Sequence, residues 1–463
     1  MPAPLNPSRF QWVWVGLAVA IAVVWLWINF CRFPFSSWND IRLVPVFMAA
    51  AGESVYTLPG EGVITTWMYG PVPLWLWSPA LLGSSAVSAI LIADFVNLAI
   101  TLIAIALTCA YWPVKGISLT TRWLAFAAAI AIWPDHAFRF LQADNLAVAL
   151  GLMGHLLFVT ASPNNANRRG WIVAAATALA LGCKQTSMGI LIAQVIWLAC
   201  EYDRKTALIH LGRTLSLGVI FAGIAIWQFG FEKLWFGVVS IAAHLPWGEH
   251  PWQRLLSLGP ILAAHWGAPI LAMLLIGKSL ITSSHPLRLP FIAWVCSLPL
   301  GIIGLFTIGG STNNLQGFHL IAVPLLLVAL MVISIRLRNF YRPLTSAFVI
   351  AIICLRVLQA DHTPMQPALS KIREAGTIQA HFPEQVWLPW SPLVSYYAEG
   401  GFYHSEDGFY VRFLTGNPVS VRQAMAHLPA QFRAMAFPGQ DMQWGIARKL
   451  AKPNQRQWEL GEW

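Results

Sequence analysis

The chain contains repeated apolar runs of about 17–20 residues, each close to the length that an α-helix needs to cross a bilayer. The runs recur between residues 11 and 360, and the sequence becomes markedly more polar only from Asp361 onwards. Only 10% of the residues are charged and 57% are hydrophobic, whereas soluble domains carry about 25% charged residues. A water-soluble core cannot hide this much apolar surface, so the pattern predicts an all-α polytopic membrane protein.

The apolar runs predict about eleven transmembrane helices. They are placed at residues 11–30, 86–112, 118–134, 144–160, 171–183, 187–200, 214–230, 257–277, 291–309, 319–335 and 343–360. With the N-terminus in the cytoplasm, Lys and Arg concentrate in the inner loops, as the positive-inside rule expects. The net charge of +10 therefore does not indicate nucleic-acid binding. The runs 171–183 and 187–200 are short and meet at Lys184, which predicts a helix break that faces a cavity.

The predicted topology divides the chain into a membrane domain, residues 1–360, and a C-terminal tail, residues 361–463, on the extracytoplasmic side. A long outer loop, residues 32–85, follows the first span. The tail is long enough for a small α/β domain. Short runs between Pro and Gly turns predict strands at Gln385–Leu388 and Gly408–Arg412. The motif His404–Asp407 is interpreted as a solvated turn in preference to a metal site.

Acidic residues of the membrane domain collect in the outer loops, which makes the outer face the predicted working face. Asp40 follows the first span, and transfer of a sugar to a hydroxyl needs such a base within hydrogen-bond reach. The alternative is a solvated Asp that caps a helix starting near Ile41. Asp135 is predicted to share the site of Asp40, whereas Asp144 is predicted to cap a later helix.

Cations on the same face are candidates for binding phosphate. Lys184 lies between two apolar stretches, where a cation is costly and usually functional or paired. The alternative is that Lys184 snorkels to the interface. Arg139 either binds a phosphate or forms an ion pair, and His319 either donates to a phosphate or has a structural role at a helix start. The aromatic loop 231–254 predicts an interfacial helix and a turn, at a substrate entrance or as an anchor.

The order of these features resembles the GT-C superfamily of polyprenyl-phosphate-sugar glycosyltransferases, near the protein O-mannosyltransferase and aminoarabinose transferase group. The resemblance covers the whole chain, although each motif is short. It is carried by Asp40 after the first span, Gly52–Tyr56, Tyr69–Leu74, Asp144–Ala147, Gly182–Thr186 and Asn314–His319, and by the tail segments Trp387–Leu393 and Glu399–His404.

The resemblance implies a polyprenyl-phosphate-linked sugar as donor and an envelope lipid, glycan or protein as acceptor, with inversion at the anomeric carbon. It also implies a multi-pass protein of the bacterial inner membrane with a periplasmic tail. The family often has two adjacent acids after the first span, and Asn39 precedes Asp40 here, so no metal ligand is predicted and a divalent cation stays open as a cofactor. The implied site residues are Asp40 and Asp135 for catalysis, Lys184, Arg139, His319, Arg42 and Tyr69 for the donor, and Glu53, His244 and Glu249 on the acceptor side.

Two other functions remain open on the sequence. A polyprenyl-lipid or solute transporter, or flippase, would carry ionisable residues near the bilayer midplane and often inverted repeats. Asp94 and His155 are the good intramembrane candidates, and the sequence has no internal repeat. A non-catalytic envelope assembly protein would tolerate loss of Asp40.

Overall fold

The structure is a computed structural model. It describes residues 9–32, 37–65, 67–114, 117–133, 141–161, 166–257, 259–260, 286–336, 365–438 and 456–459, with isolated residues between 263 and 354. Asp135 and Arg139 lie outside the described residues, as do the predicted spans 257–277 and 343–360 apart from isolated positions.

The described part of the chain before the tail is almost entirely helical. Its α-helices are α1 (Arg9–Arg32), α2 (Ser37–Ala50), α3 (Val72–Leu76), α4 (Ala86–Tyr111), α5 (Leu119–Ile132), α6 (Ala143–Val159), α7 (Ala166–Cys183), α8 (Met188–Glu201), α9 (Arg204–Phe229), α10 (Phe231–Trp235), α11 (Ile241–Ala243), α12 (Pro251–Ser257), α13 (Arg288–Phe306) and α14 (His319–Arg336). Within the described ranges, four helical segments are long and apolar enough to cross a membrane, namely α4, α9, α13 and Asn313–Met331.

Local sequence explains where several of these helices begin. Ser85 caps α4 in a capping box with Ser88, which satisfies backbone N–H groups that a helix start leaves without partners. Asp203 caps α9 by accepting a hydrogen bond from the Thr206 N–H at 2.7 Å. This cap starts α9 at Arg204, well before the predicted span 214–230, because the helix extends beyond its apolar part.

The predicted break between the two short apolar runs is confirmed. Helix α7 ends at Cys183, Lys184 has an extended backbone with φ −150° and ψ 132°, and a 3₁₀ turn covers Gln185–Ser187 before α8 begins. The side chains of Lys184 and Gln185 both line a cavity. A break of this kind exposes backbone groups, so it is stable where it borders a cavity and not where it borders lipid.

The tail is an α/β structure in its described part. Its helices are α15 (Met365–His381), α16 (Pro392–Glu399), α17 (Glu406–Leu414) and α18 (Val421–Ala426), and its strands are β1 (Val386–Trp387), β2 (Ala434–Phe437) and β3 (Arg456–Glu459). The three strands are parallel in the order β1-β2-β3. The strand predicted at Gly408–Arg412 is wrong, since this segment belongs to α17. The Ser405 side chain caps that helix by accepting from the Gly408 N–H at 3.1 Å, and this local bond favours a helix start over a strand.

The tail and the outer loop share one apolar core. Ile41 of α2 and Ile64 of the outer loop are buried in the same cluster as Trp387, Trp390 and Phe409 of the tail. Burial of such large aromatic side chains contributes strongly to stability. The tail is thereby held against α2, next to the break after α7.

Candidate functional site

A cavity of about 780 Å³ lies between the membrane helices and the tail. Its volume falls in the range of ligand-binding sites, about 300–1,000 Å³. Its walls come from α2, the loop segment 67–69, the break between α7 and α8, the C-terminal end of α13 with the turn that follows it, and α17 of the tail.

A close backbone approach brings the outer loop to the break. A Cβ atom on Gly70 would lie 1.9 Å from the carbonyl oxygen of Gly182, so only glycine fits at position 70. Gln185 strengthens this contact by donating to the Met68 carbonyl at 3.1 Å and to the Val238 carbonyl. The loop segment 67–69 and the break therefore face one cavity.

Lys184 belongs to a polar group that we call the cavity network, formed by Asp144, Lys184, Asn313 and Asn314. The Lys184 ammonium forms an ion pair with the Asp144 carboxylate and donates to Asn314 Oδ1 at 3.0 Å. The Asn313 side chain donates to Asp144 Oδ2 at 3.2 Å. Lys184 is 8% exposed, so the snorkelling alternative is wrong. The prediction that Asp144 caps α6 is also wrong, because the N-cap residue is Gln142 and the carboxylate binds Lys184 instead.

Two further predicted donor residues line the same cavity. The Arg42 guanidinium donates to the Leu141 carbonyl at 3.2 Å and lies 5.4 Å from the centre of the Trp38 ring. The Tyr69 carbonyl accepts a hydrogen bond from the Tyr56 hydroxyl at 2.9 Å. Arg42, Tyr69 and Lys184 are thus brought together on the walls of one cavity.

The tail contributes one wall of the cavity through α17. The residues of α17 that line it are Asp407, Tyr410, Val411 and Leu414. Their spacing of three, four and seven residues places them on one face of the helix. The interpretation of His404–Asp407 as a solvated turn is wrong, because these residues pack between the tail and the outer loop and none is more than 5% exposed. No group of His, Cys, Asp or Glu within the described ranges is arranged to hold a metal ion.

Asp40 is fully buried and does not line the cavity. Its Oδ1 atom accepts a hydrogen bond from the Leu393 N–H of the tail at 2.8 Å, and its Oδ2 atom is buried without a hydrogen-bond partner. Burial raises the pKa of Asp40 to about 8, against the hydrogen bond from Leu393, which lowers it. The alternative of a solvated capping residue is wrong, since α2 begins at Ser37 and the carboxyl group binds the tail.

The other predicted site residues lie away from the cavity where the structure describes them. His319 is fully buried against the Trp133 ring, with ring centres 4.4 Å apart, and its two ring nitrogens face the backbone carbonyls of Gln316 and Ile132. Three predicted acceptor-side residues are exposed and do not line the cavity, namely Glu53, His244 and Glu249. Their roles stay predictions, as do those of Asp135 and Arg139.

Sequence reasoning missed several residues on the cavity walls. Asn313 and Asn314 lie at the start of the segment Asn314–His319 or next to it, and only His319 of that segment was predicted as a site residue. Asp407 lies in a motif that was judged to be solvent-exposed. The signal that singles out Asp407 is a Ser two residues before it with apolar residues following at helical spacing, which indicates a capped amphipathic helix with an acid in its first turn.

Solved structures with the same architecture exist. The crystal structure of ArnT from Cupriavidus metallidurans in the apo state has a TM-score of 0.51 and 15% identity, and the match covers 87% of this chain and 77% of that one. The structure of ArnT from the same organism bound to undecaprenyl phosphate has a TM-score of 0.52 and 14% identity, with 98% and 90% covered. No family model and no curated protein matches the sequence. The chain therefore shares the fold of these ArnT structures, and the resemblance seen in the sequence is confirmed at the level of the fold.

Proposed function

We propose that this protein is a membrane glycosyltransferase that moves a sugar from a polyprenyl phosphate to an acceptor in the bacterial envelope, a lipid, a glycan or a protein. It would reside in the inner membrane with its N-terminus in the cytoplasm and the tail, residues 361–463, in the periplasm. The fold supports this proposal, since one of the ArnT structures that share it is bound to undecaprenyl phosphate.

The observation that carries the proposal is the buried ammonium group of Lys184 on the cavity wall. The ammonium group binds the Asp144 carboxylate and Asn314 Oδ1, and Asn313 in turn donates to Asp144. A phosphate that enters the cavity meets this cation and the guanidinium of Arg42. Fixed cations in a site shielded from water stabilise the negative charge that develops on a leaving phosphate, which is often a large part of catalysis.

In the proposed reaction an acceptor hydroxyl attacks the anomeric carbon from the side opposite the phosphate, with inversion. The sequence predicts Asp40 as the base, together with Asp135. For Asp40 to act in this way, the hydrogen bond from Leu393 must open and the tail must separate from α2, because the carboxyl group is sealed between them. The exposed Glu53, His244 and Glu249 would guide the acceptor, and Arg139 and His319 would assist at the donor.

Native mass spectrometry of the detergent-purified protein tests donor binding. We expect retention of added undecaprenyl-phosphate sugars by the wild type and at least about tenfold weaker retention by Lys184→Met, since a charge-assisted hydrogen bond contributes about 1.5–3 kcal/mol. Lys233→Met is the matched control, because Lys233 bonds to Ser54 on the outer loop and does not line the cavity.

Because Lys184→Met leaves the Asp144 carboxylate unpaired, the double variant Asp144→Leu/Lys184→Met is measured beside it. Retention that is equally weak in both variants points to the lost ammonium group as the cause. A wild type that retains no polyprenyl phosphate, under conditions in which ArnT does, would contradict the proposal and favour a transporter of other solutes or an assembly protein.

A further inference from the structure

The side chain of Asn314 joins the Lys184 ammonium group to the backbone around the cavity. Its Nδ2 atom donates to the Gly304 carbonyl at 3.2 Å and to the Ser311 carbonyl at 3.3 Å. Its Oδ1 atom accepts from Lys184 Nζ at 3.0 Å. A carbonyl group only accepts and an ammonium group only donates, so these three bonds are compatible with one orientation of the amide.

Two glycines of α13 allow Asn314 to approach this closely. A Cβ atom on Gly301 would lie 2.7 Å from the backbone carbonyl oxygen of Asn314, and a Cβ atom on Gly304 would lie 2.7 Å from its Oδ1 atom. The two glycines are three residues apart and therefore lie on one face of the helix. The atoms nearest to a Cβ atom on Gly304 all belong to the Asn314 side chain. The packing of the turn against α13 thus sets the position of Oδ1.

The Asp144 carboxylate, the other partner of Lys184, is held by the same turn. Its Oδ1 atom pairs with the ammonium group, and its Oδ2 atom accepts from the Asn313 side chain at 3.2 Å. Asn313 Oδ1 in turn accepts from the Ser311 hydroxyl at 2.6 Å. The two adjacent asparagines therefore hold the two ends of the ion pair, Asn313 at the carboxylate and Asn314 at the ammonium group.

The ammonium group keeps one donor for a ligand. Lys184 Nζ carries three N–H groups, and among the described residues two of them have acceptors, Asp144 and Asn314. Because Lys184 lines the cavity, the third N–H is available to a phosphate oxygen there. The stem of a lysine is flexible, so the ion pair alone would leave the direction of this N–H open. The Asn314 amide supplies a second fixed contact and adds no negative charge that would repel phosphate.

We infer that Asn314 is a positioning residue for the phosphate of the polyprenyl donor, an inference that rests on the proposed function. Asn314 acts through Lys184. By accepting one N–H of the ammonium group, it fixes the direction of the N–H that meets the phosphate. A donor that is fixed in advance needs no rearrangement when negative charge develops on the leaving phosphate.

The test measures dissociation constants by native mass spectrometry of the full chain in lipid nanodiscs. The probes are undecaprenyl phosphate and undecaprenol, which has the same chain without the phosphate. Asn314→Leu has a similar size and cannot accept the Lys184 N–H. We expect it to bind undecaprenyl phosphate about three- to tenfold more weakly than the wild type, in the range for residues coupled in one hydrogen-bond network. It should bind undecaprenol like the wild type.

A double-variant cycle separates positioning from a purely structural role. In the Lys184→Met background, Asn314→Leu should change the affinity for undecaprenyl phosphate by less than about twofold, since no ammonium group is left to position. Equal losses in the wild-type and Lys184→Met backgrounds overturn the inference. So does an Asn314→Leu protein that binds undecaprenyl phosphate as tightly as the wild type or more tightly. An equal loss of undecaprenol binding overturns it as well, because the effect would then not concern the phosphate.

Gly304→Ala covers the case in which Asn314→Leu does not fold. It keeps every polar group and adds one methyl group that displaces the Asn314 side chain. It should weaken undecaprenyl phosphate binding by at least about threefold, and Lys184→Met should again remove the effect. Gly223→Ala is the matched control, because Gly223 also lies inside a long helix, α9, and a Cβ atom there meets nothing within 4 Å. A Gly304→Ala protein that binds like the wild type overturns the inference.

Failure of the proposed function gives a different result. A wild type that binds undecaprenyl phosphate no better than undecaprenol, or whose affinity is unchanged in Lys184→Met, overturns the proposed function together with the inference. A wild type that binds undecaprenyl phosphate and loses affinity in Lys184→Met, while the Asn314 and Gly304 variants bind like the wild type, overturns the inference alone.

Discussion

Two regions of this protein contain buried polar side chains, and these side chains find their hydrogen-bond partners in different ways. In the cavity network, Asp144, Lys184, Asn313 and Asn314 bind one another through side chains. The second region is the interface between the tail and the outer part of the chain, which we call the tail seam. There, polar side chains bind backbone groups of the segment they face, namely the side chains of Asp40, His404 and Arg412. These backbone partners are Leu393 for Asp40, Ile64 and Gln423 for His404, and Thr57 for Arg412.

The difference indicates what each region does. A side chain that binds a backbone group fixes the position of a segment, whatever residues that segment carries. A network of charged side chains beside a cavity is able to exchange one partner for an incoming anion, because Lys184 has three N–H groups and the cavity borders it. The tail seam therefore holds the walls in place, and the cavity network meets the ligand.

The largest effect is expected from breaking the charge pair of the cavity network. Asp144→Leu leaves the buried Lys184 ammonium without its carboxylate, which should lower the free energy of unfolding by about 3–5 kcal/mol. Thermal unfolding in detergent measures the loss. The double variant Asp144→Leu/Lys184→Met removes the unpaired charge and should recover much of it. Equal loss in the single and double variants would show that the unpaired Lys184 charge is not the cause of the lost stability.

A smaller loss in the free energy of unfolding is expected from His404→Leu in the tail seam. His404 Nδ1 accepts from the Ile64 N–H at 2.9 Å, and its Nε2 lies 3.2 Å from the Gln423 carbonyl. Burial lowers the pKa of His404 to about 3, so the ring is neutral and makes both bonds at neutral pH. Leaving two buried backbone groups without partners should cost about 2–4 kcal/mol.

The readout for His404→Leu combines thermal unfolding with limited proteolysis of the outer loop around Ile64, which should become faster. His427→Leu is the control, because its ring packs edge-on against His404 at 5.3 Å and makes neither of the two His404 hydrogen bonds. A loss of stability without faster cleavage near Ile64 would mean that the His404 bonds do not hold the loop.

The contrast between the two regions also explains what the sequence was able to predict. The break at Lys184 was predictable because two apolar runs are too short to span, which is a local property. The partner of Lys184 could not be predicted, because Asp144 lies 40 residues earlier in the chain and has the sequence context of an ordinary capping residue. Burial of Asp40 depends on Leu393, which is 353 positions away. The prediction of a strand within α17 failed because it used the run Gly408–Arg412 between turns and did not consider the helix cap at Ser405.

The smallest change in the free energy of unfolding is expected from Asp40→Asn, and whether the variant is less or more stable than the wild type should depend on pH. The pKa of Asp40 is raised from 3.8 to about 8 by burial, and no described cation lies within ion-pair distance of it. In the unfolded chain the carboxyl group loses its proton near its ordinary pKa, whereas in the folded protein it keeps that proton until about pH 8. The folded state thus binds more protons between these two values, and this group contributes less stability as the pH rises through that range.

Asparagine accepts the Leu393 N–H through its carbonyl oxygen and carries no charge at any pH. We therefore expect Asp40→Asn to differ from the wild type by no more than about 1 kcal/mol at pH 5, as for a near-isosteric change, and to become the more stable of the two as the pH approaches 8. Thermal unfolding of both proteins at several pH values between 5 and 8 measures the difference. A difference that does not change with pH would mean that the Asp40 carboxyl group is ionised in the folded protein, and the tail seam would then hold a charge as the cavity network does.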